Sequence, residues 1–127
     1  MDISLTNGEI TSQDFQVALV TLMQKPLSVS IGWHLTELKE YVERRLKKYR
    51  EAHIELLKKH GAVESGNKIS FDEKNPAPVK YYTDLAELNA IVGWVQMDKI
   101  TLPDTLQVEP FVVAALKSLL VVPDSQI

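Results

Sequence analysis

Three histidines, His34, His53 and His60, are the first candidates for chemistry in this chain. A helical metal site would pair histidine with Glu-x-x-His or His-Glu-x-x-His spacing, but Ile31, Arg50 and Leu57 stand three residues before them. His53 and His60 lie two helical turns apart, roughly 10 Å along an axis, too far for one ion unless a second chain contributes. They read as packing or subunit-contact residues. A pH-sensitive contact is the minority reading, because imidazole charges near neutrality. Glu37, Glu40 and Glu43 form a possible acidic stripe. Solvated helix surface with Glu40–Arg44 and Glu43–Lys47 pairs explains it better, and general acid–base work would need a carboxyl with a tuned pKa. Gly-x-Ser-x-Gly, Ser-x-x-Lys and a glycine-rich phosphate loop are missing, and there is no cysteine to act as a nucleophile or bind zinc. No catalytic residue, metal or cofactor is therefore expected, and the chain reads as a non-enzyme.

The remaining concentration of chemistry is basic: Arg44, Arg45, Lys47, Lys48 and Arg50, interleaved with Leu46 and Tyr49. On a helix these side chains surround most of the circumference. They can form a solvated, ion-paired face, meet an acidic protein, or contact phosphates with a steep salt dependence. The solvated face is preferred, and nucleic acid is disfavoured by the net charge of −3. Trp33, Tyr41, Tyr49, Tyr81, Tyr82 and Trp94 are large amphipathic groups, and a core or subunit contact is preferred for them over a ligand-stacking role. The interaction candidates are Arg44, Arg45, Lys47, Lys48, Arg50, Tyr49, His53, Tyr81 and Tyr82.

One long element must position most of them. From Ser28 to His60 there is no proline, and the only glycine is Gly32. At about 1.5 Å per residue this helix would be roughly 50 Å long. Its inner seam reads Ile31, Leu35, Leu38, Val42, Leu46, Tyr49, His53, Leu56 and His60, a heptad-like alternation with one stutter between Val42 and Leu46. Gly61 follows as a C-terminal cap, and Lys58 and Lys59 suit the negative end of the dipole. Such a seam must be covered by the chain's other helices or by a second copy.

The flanking elements are shorter. Ile3–Thr6 reads as a strand that turns through Asn7-Gly8 into Glu9–Thr11, since Asn-Gly suits a two-residue hairpin turn. Thr11 and Ser12 can cap a helix over Ser12–Gln24, with Phe15, Ala18, Leu19, Leu22 and Met23 on its inner face, ended by Pro26. Ala62–Glu64 and Lys68–Phe71 flank Ser65-Gly66-Asn67 as a hairpin. Asn75–Pro78 links to a helix over Pro78–Asn89 with Val79, Tyr82, Leu85, Ala86 and Leu88 inward. Tyr81 and Tyr82 are neighbours, so one of them points away. Val92–Leu102 reads as a strand, although a helix reaching Val95 is an alternative, and Glu109-Pro110 opens a last helix through Leu120.

The whole is an α+β, predominantly helical single domain over residues 1–127, with one long central helix, two or three shorter helices and small β elements. Residues 121–127 are expected to form a short flexible tail. A chain of 127 residues, 45% hydrophobic and 24% charged, can bury a core without staples. No apolar run reaches the length of a bilayer span, and Met1–Leu5 has no signal-peptide character, so a cytoplasmic location is expected.

The chain order resembles that of short proteins encoded by tailed bacteriophages and prophages. The matching pieces are Leu5–Ile10, the Leu19/Leu22 helix, Pro26–Ser30, the long charged helix ending Lys58-Lys59-His60-Gly61, and the closing Val108–Phe111. Asn75–Pro78 and the apolar stretch after Phe111 depart from that pattern. The resemblance carries no functional residues over. It implies a phage accessory or virion-associated protein that self-assembles, in the cytoplasm of an infected cell or in the particle, with a phage structural or host protein as partner. The alternatives are an antagonist of host defence, occluding a host protein or sequestering a nucleotide-like ligand, and, further behind, a nucleic-acid accessory or an enzyme of unrecognised type.

Overall fold

A computed structural model describes residues 2–121. The elements run β1 (Asp2–Thr6), α1 (Asn7–Thr11), α2 (Gln13–Met23), α3 (Val29–Lys59), β2 (Val63–Ser65), β3 (Lys68–Ser70), α4 (Val79–Ala90), β4 (Val92–Gln96), β5 (Ile100–Thr101), α5 (Pro110–Ala115) and β6 (Leu120–Val121). This is the expected mostly helical α+β chain built around one long helix. No helix among the described residues is long and apolar enough to cross a membrane.

The 31 residues of α3 make it about 46 Å long. Ser28 caps its first turn by accepting a bond from the Ile31 amide at 3.2 Å. At the far end Gly61 takes a φ of +87°. The Ala62 amide bonds Leu57 O and the Gly61 amide bonds Lys58 O, which is the Schellman arrangement that glycine makes inexpensive.

Asn7-Gly8 does not make the expected hairpin. Thr6 Oγ1 accepts from the Glu9 amide, while the Glu9 carboxylate accepts from the Thr6 amide. That reciprocal capping box starts α1 directly after β1, and neither Asn7 nor Gly8 has positive φ. β1 instead pairs antiparallel with the distant β4, Ile3 opposite Val95 and Leu5 opposite Gly93. A hairpin does form between β2 and β3; Gly66, at φ +61°, occupies the first turn position, as a type II′ turn requires. α2 buries Phe15, Ala18, Leu19 and Leu22 as expected. Its N-cap Ser12 makes no side-chain cap bond, and the Thr11 hydroxyl instead donates back to Asn7 O.

Two further expectations change. The apolar stretch after Glu109 is not one helix to Leu120: α5 stops at Ala115, and Leu120–Val121 pair in parallel with Ile100–Thr101. Val121 therefore belongs to a strand rather than to a tail, and residues 122–127 lie outside the described residues. The Val92–Leu102 strand is split in two, β4 and β5, around Met97–Lys99.

The core joins Ile3 and Leu5 of β1, Ile10 of α1, the inner face of α2, Leu35, Leu38 and Val42 of α3, and Leu102, Val112, Leu116 and Leu119. Each fully buried leucine contributes about 1.5–3 kcal/mol relative to an exposed one. The N-terminal half of α3 is thus strongly anchored, whereas its C-terminal half buries only Leu57.

A polar junction ties the middle of α3 to β1, to α1 and to Ile91 between α4 and β4. Arg45 Nη1 donates to Leu5 O at 2.7 Å, and Nη2 donates to Ile91 O at 3.2 Å and to Asn7 Oδ1. Asn7, 6% exposed, sends its side-chain amide to Leu88 O at 2.9 Å and its backbone amide to Ile91 O at 3.0 Å. Gly93 makes room for this junction, because a Cβ there would lie 2.5 Å from Arg45 Nη1 and from Tyr41 Oη. Gly93→Ala should therefore cost about 1–3 kcal/mol in urea unfolding. Gly32→Ala, in a helix with nothing within 4 Å of the new methyl, should add roughly 0.5–1 kcal/mol. Equal effects from the two would contradict the packing account of Gly93.

Candidate functional site

The basic stretch of α3 is not one functional face. Arg45 is turned into the junction described above, and Tyr49 donates its hydroxyl to Asn89 Oδ1 at 2.7 Å. Arg44, Lys47, Lys48 and Arg50 are exposed. The expected pairs Glu40–Arg44 and Glu43–Lys47 do not form among the described residues; the helix carries Lys39–Glu43 at 3.8 Å and His34–Glu37 at 3.5 Å instead. The spacing placed the pairs correctly in reach, but exposed long side chains gain too little from pairing to be held in one geometry.

His53 and His60 clasp α4. His53 Nε2 lies 2.9 Å from the Tyr81 hydroxyl, and His60 Nε2 lies 2.9 Å from Asp84 Oδ2, with Lys59 Nζ 3.7 Å from the same oxygen. Tyr81 is the buried centre: its ring lies 4.8 Å from Phe71, 6.0 Å from His60 and 6.3 Å from His53. Burial, then the nearness of Tyr82, raises the Tyr81 hydroxyl above its ordinary value of 10.0. Burial and then Tyr81 do the same for Tyr49. Both remain neutral phenols at physiological pH. The hydrogen bond from His60, ahead of the opposing burial and the attraction of Lys59 and His60, lowers the Asp84 carboxyl below its ordinary 3.8.

This clasp reverses the expected face of α4. Tyr81, Asp84, Leu85 and Leu88 turn toward the molecule, while Val79, Tyr82 and Ala86, expected inward, are exposed. Leu85 and Leu88 fit either rotation, so the apolar periodicity that put Tyr82 inward was not enough to choose between the two adjacent tyrosines. The polar partners supplied by α3 decide it. Among the described residues no group of three or more metal-ligating side chains comes together.

Two concave surfaces lie along α3 apart from this clasp. A groove of about 890 Å³ runs between the N-terminal half of α3 and β4–β5, with Tyr41, His34, Arg44, Trp94 and Lys99 among its walls. A smaller pocket of about 350 Å³ continues it along α3 and shares Tyr41. Neither is lined by His53, His60, Tyr81 or Asp84. Trp94 is 62% exposed and Trp33 66% exposed. Trp33 shares a helical face with Ser30 and Glu37 of the groove wall, at spacings of three and four residues.

A place in the core, one of the readings open for the tryptophans, is thus excluded for both. The signals for this were present. At about 100° per residue Trp33 lies half a turn from Val42 on the seam, and strand alternation with Gly93 and Val95 inward sends Trp94 outward. Comparison with known proteins finds no matching family, no matching curated protein and no matching solved structure.

Two measurements check this geometry. Arg45→Met leaves Asn7 Oδ1 without its donor and should destabilise the fold by about 1–3 kcal/mol, against roughly 0.5 kcal/mol or less for Arg44→Met on the surface. Because the Asp84 carboxyl is lowered in the folded chain, its contribution is fully present above about pH 4 and is lost as the pH falls through that lowered value. The stability difference between wild type and Asp84→Asn should accordingly shrink as the pH is lowered below about 4. A difference independent of pH would remove the His60–Asp84 bond from the account.

Proposed function

We propose that this chain is a non-enzymatic interaction protein, an accessory of a tailed phage or prophage, that assembles with itself or with a phage or host protein through the outer face of α3 and β4. The observation that carries the reading is that both tryptophans of the chain stand more than 60% exposed, Trp94 in the wall of the groove and Trp33 on α3 at helical spacing from the wall residues Ser30 and Glu37. Tryptophan is the residue most enriched among binding hot spots, and burying one in an interface removes a large apolar area from water.

The inner seam of α3 does not supply the interface. Leu35, Leu38 and Val42 are in the core, and Tyr49, His53 and His60 are bonded to α4. No second copy is needed to cover the seam, and the face left for assembly is the reverse one. That location also leaves the groove free to take a partner's side chain between Trp94 and Tyr41. Within this reading the protein acts in the cytoplasm of the infected cell or in the particle.

Sedimentation equilibrium of the full chain from 1 to 100 μM (roughly the range of moderate-affinity association) tests it, alongside Trp33→Ser/Trp94→Ser. Self-association in the wild type, weakened about tenfold or more in the double variant at unchanged melting temperature, is the expected result. A monomer throughout the range, with no pull-down difference between wild type and variant from infected-cell extract, would refute it.

A further inference from the structure

The Arg45 guanidinium reaches the junction with its full charge, yet every acceptor it meets is neutral: Leu5 O, Asn7 Oδ1, Ile91 O and, weakly, the Tyr41 hydroxyl at 3.5 Å. No carboxylate of the described residues lies within ion-pair distance of it. Partly buried charges are ordinarily neutralised by a counter-charge, because carbonyl dipoles satisfy the donors without cancelling the charge.

The pocket of about 350 Å³ opens directly beside this group. Its polar wall consists of Asn7, Arg45, Lys48, Tyr41 and Tyr49, and no aspartate or glutamate lines it. Lys48 also has no ion-pair partner among the described residues. A guanidinium carries five N–H donors; Nη1 and Nη2 hold the junction, and Nε–H has no partner among the described residues. The Tyr41 hydroxyl accepts from Arg45 and keeps its own proton to donate. Gly93 keeps this pocket wall low where a side chain would collide. Two cations and a hydroxyl donor therefore line one small cavity that contains no negative charge.

We infer that this pocket binds a single oxyanion, carboxylate or phosphate, carried by a small ligand. Its volume lies at the lower end of the range typical of small-molecule sites, and charge-assisted bonds from Lys48 and Arg45 are the strong kind. The wider groove, by contrast, includes Asp2, Glu37 and Asp98 among its walls and offers an anion no such preference. The inference does not rest on the tryptophan surface: the pocket can bind an anion whether or not the chain assembles.

The test is a ¹H–¹⁵N chemical-shift titration of the full chain with inorganic phosphate and, separately, succinate, each against sodium chloride at matched ionic strength. Saturable shifts at the amides of Ala52, Ile91 and Gly93 with at least one of the two anions are expected, and the anion that saturates identifies the group. Lys48→Gln should weaken that binding about fivefold or more. Arg44→Gln, an equal loss of charge outside this pocket, should change it less than about twofold. Both variants alter exposed helix positions, and unchanged melting temperatures verify their folding. Shifts no larger than those from chloride, or equal weakening by the two variants, would overturn the assignment.

Discussion

The fold depends on the meeting of Arg45 and Asn7. β1 and β4 are separated by most of the chain, and the two-stranded ribbon they form could not hold a position by itself. Arg45 fastens that ribbon to the middle of α3, while Asn7 fastens it to the end of α4 through Leu88 O and Ile91 O. Both are polar groups in a half-dry environment, so each is worth most as part of a satisfied set; removing one strands the other. The same constraint explains why position 93 has no side chain.

Around that junction α3 is built as two unlike halves. The first is packed into the apolar core with β1, α1, α2 and the C-terminal elements. The second is held to α4 and the β2–β3 hairpin mainly by imidazole, phenol and carboxylate contacts around Tyr81. Apolar burial is non-directional and tolerates small shifts, whereas this clasp has hydrogen-bond geometry to satisfy. α4 is therefore the element whose rotation is set by polar partners rather than by its hydrophobic pattern.

With the seam of α3 filled from within, what the molecule offers to others lies on the reverse face and beside the junction. The exposed tryptophans provide apolar area that a partner can cover. The acid-free pocket at Arg45 and Lys48 provides uncompensated positive charge. These are separate resources: one is read from the cost of leaving an indole in water, the other from a guanidinium whose acceptors are all neutral.

The residue pattern by itself established the elements with strong local causes: α3 from Ser28 to Gly61, the inner face of α2, and the Gly66 hairpin, because a seam, a cap or a positive-φ glycine acts over a few residues. It pointed to a hairpin turn at Asn7-Gly8, where a capping box between Thr6 and Glu9 starts a helix instead. It also put Tyr82 rather than Tyr81 on the inner face of α4, since both are amphipathic and the apolar pattern favoured the wrong one. Local propensity gave no hint that α5 would stop early to let Leu120–Val121 pair with Ile100–Thr101. Nor did it separate Arg45 from the bases around it. Those outcomes depend on groups that are distant in the chain and adjacent only after folding: the carbonyls of Leu5 and Ile91 for Arg45, and the histidines of α3 for Tyr81 and Asp84. A side chain's charge and size are local properties, but its acceptor is supplied by tertiary structure.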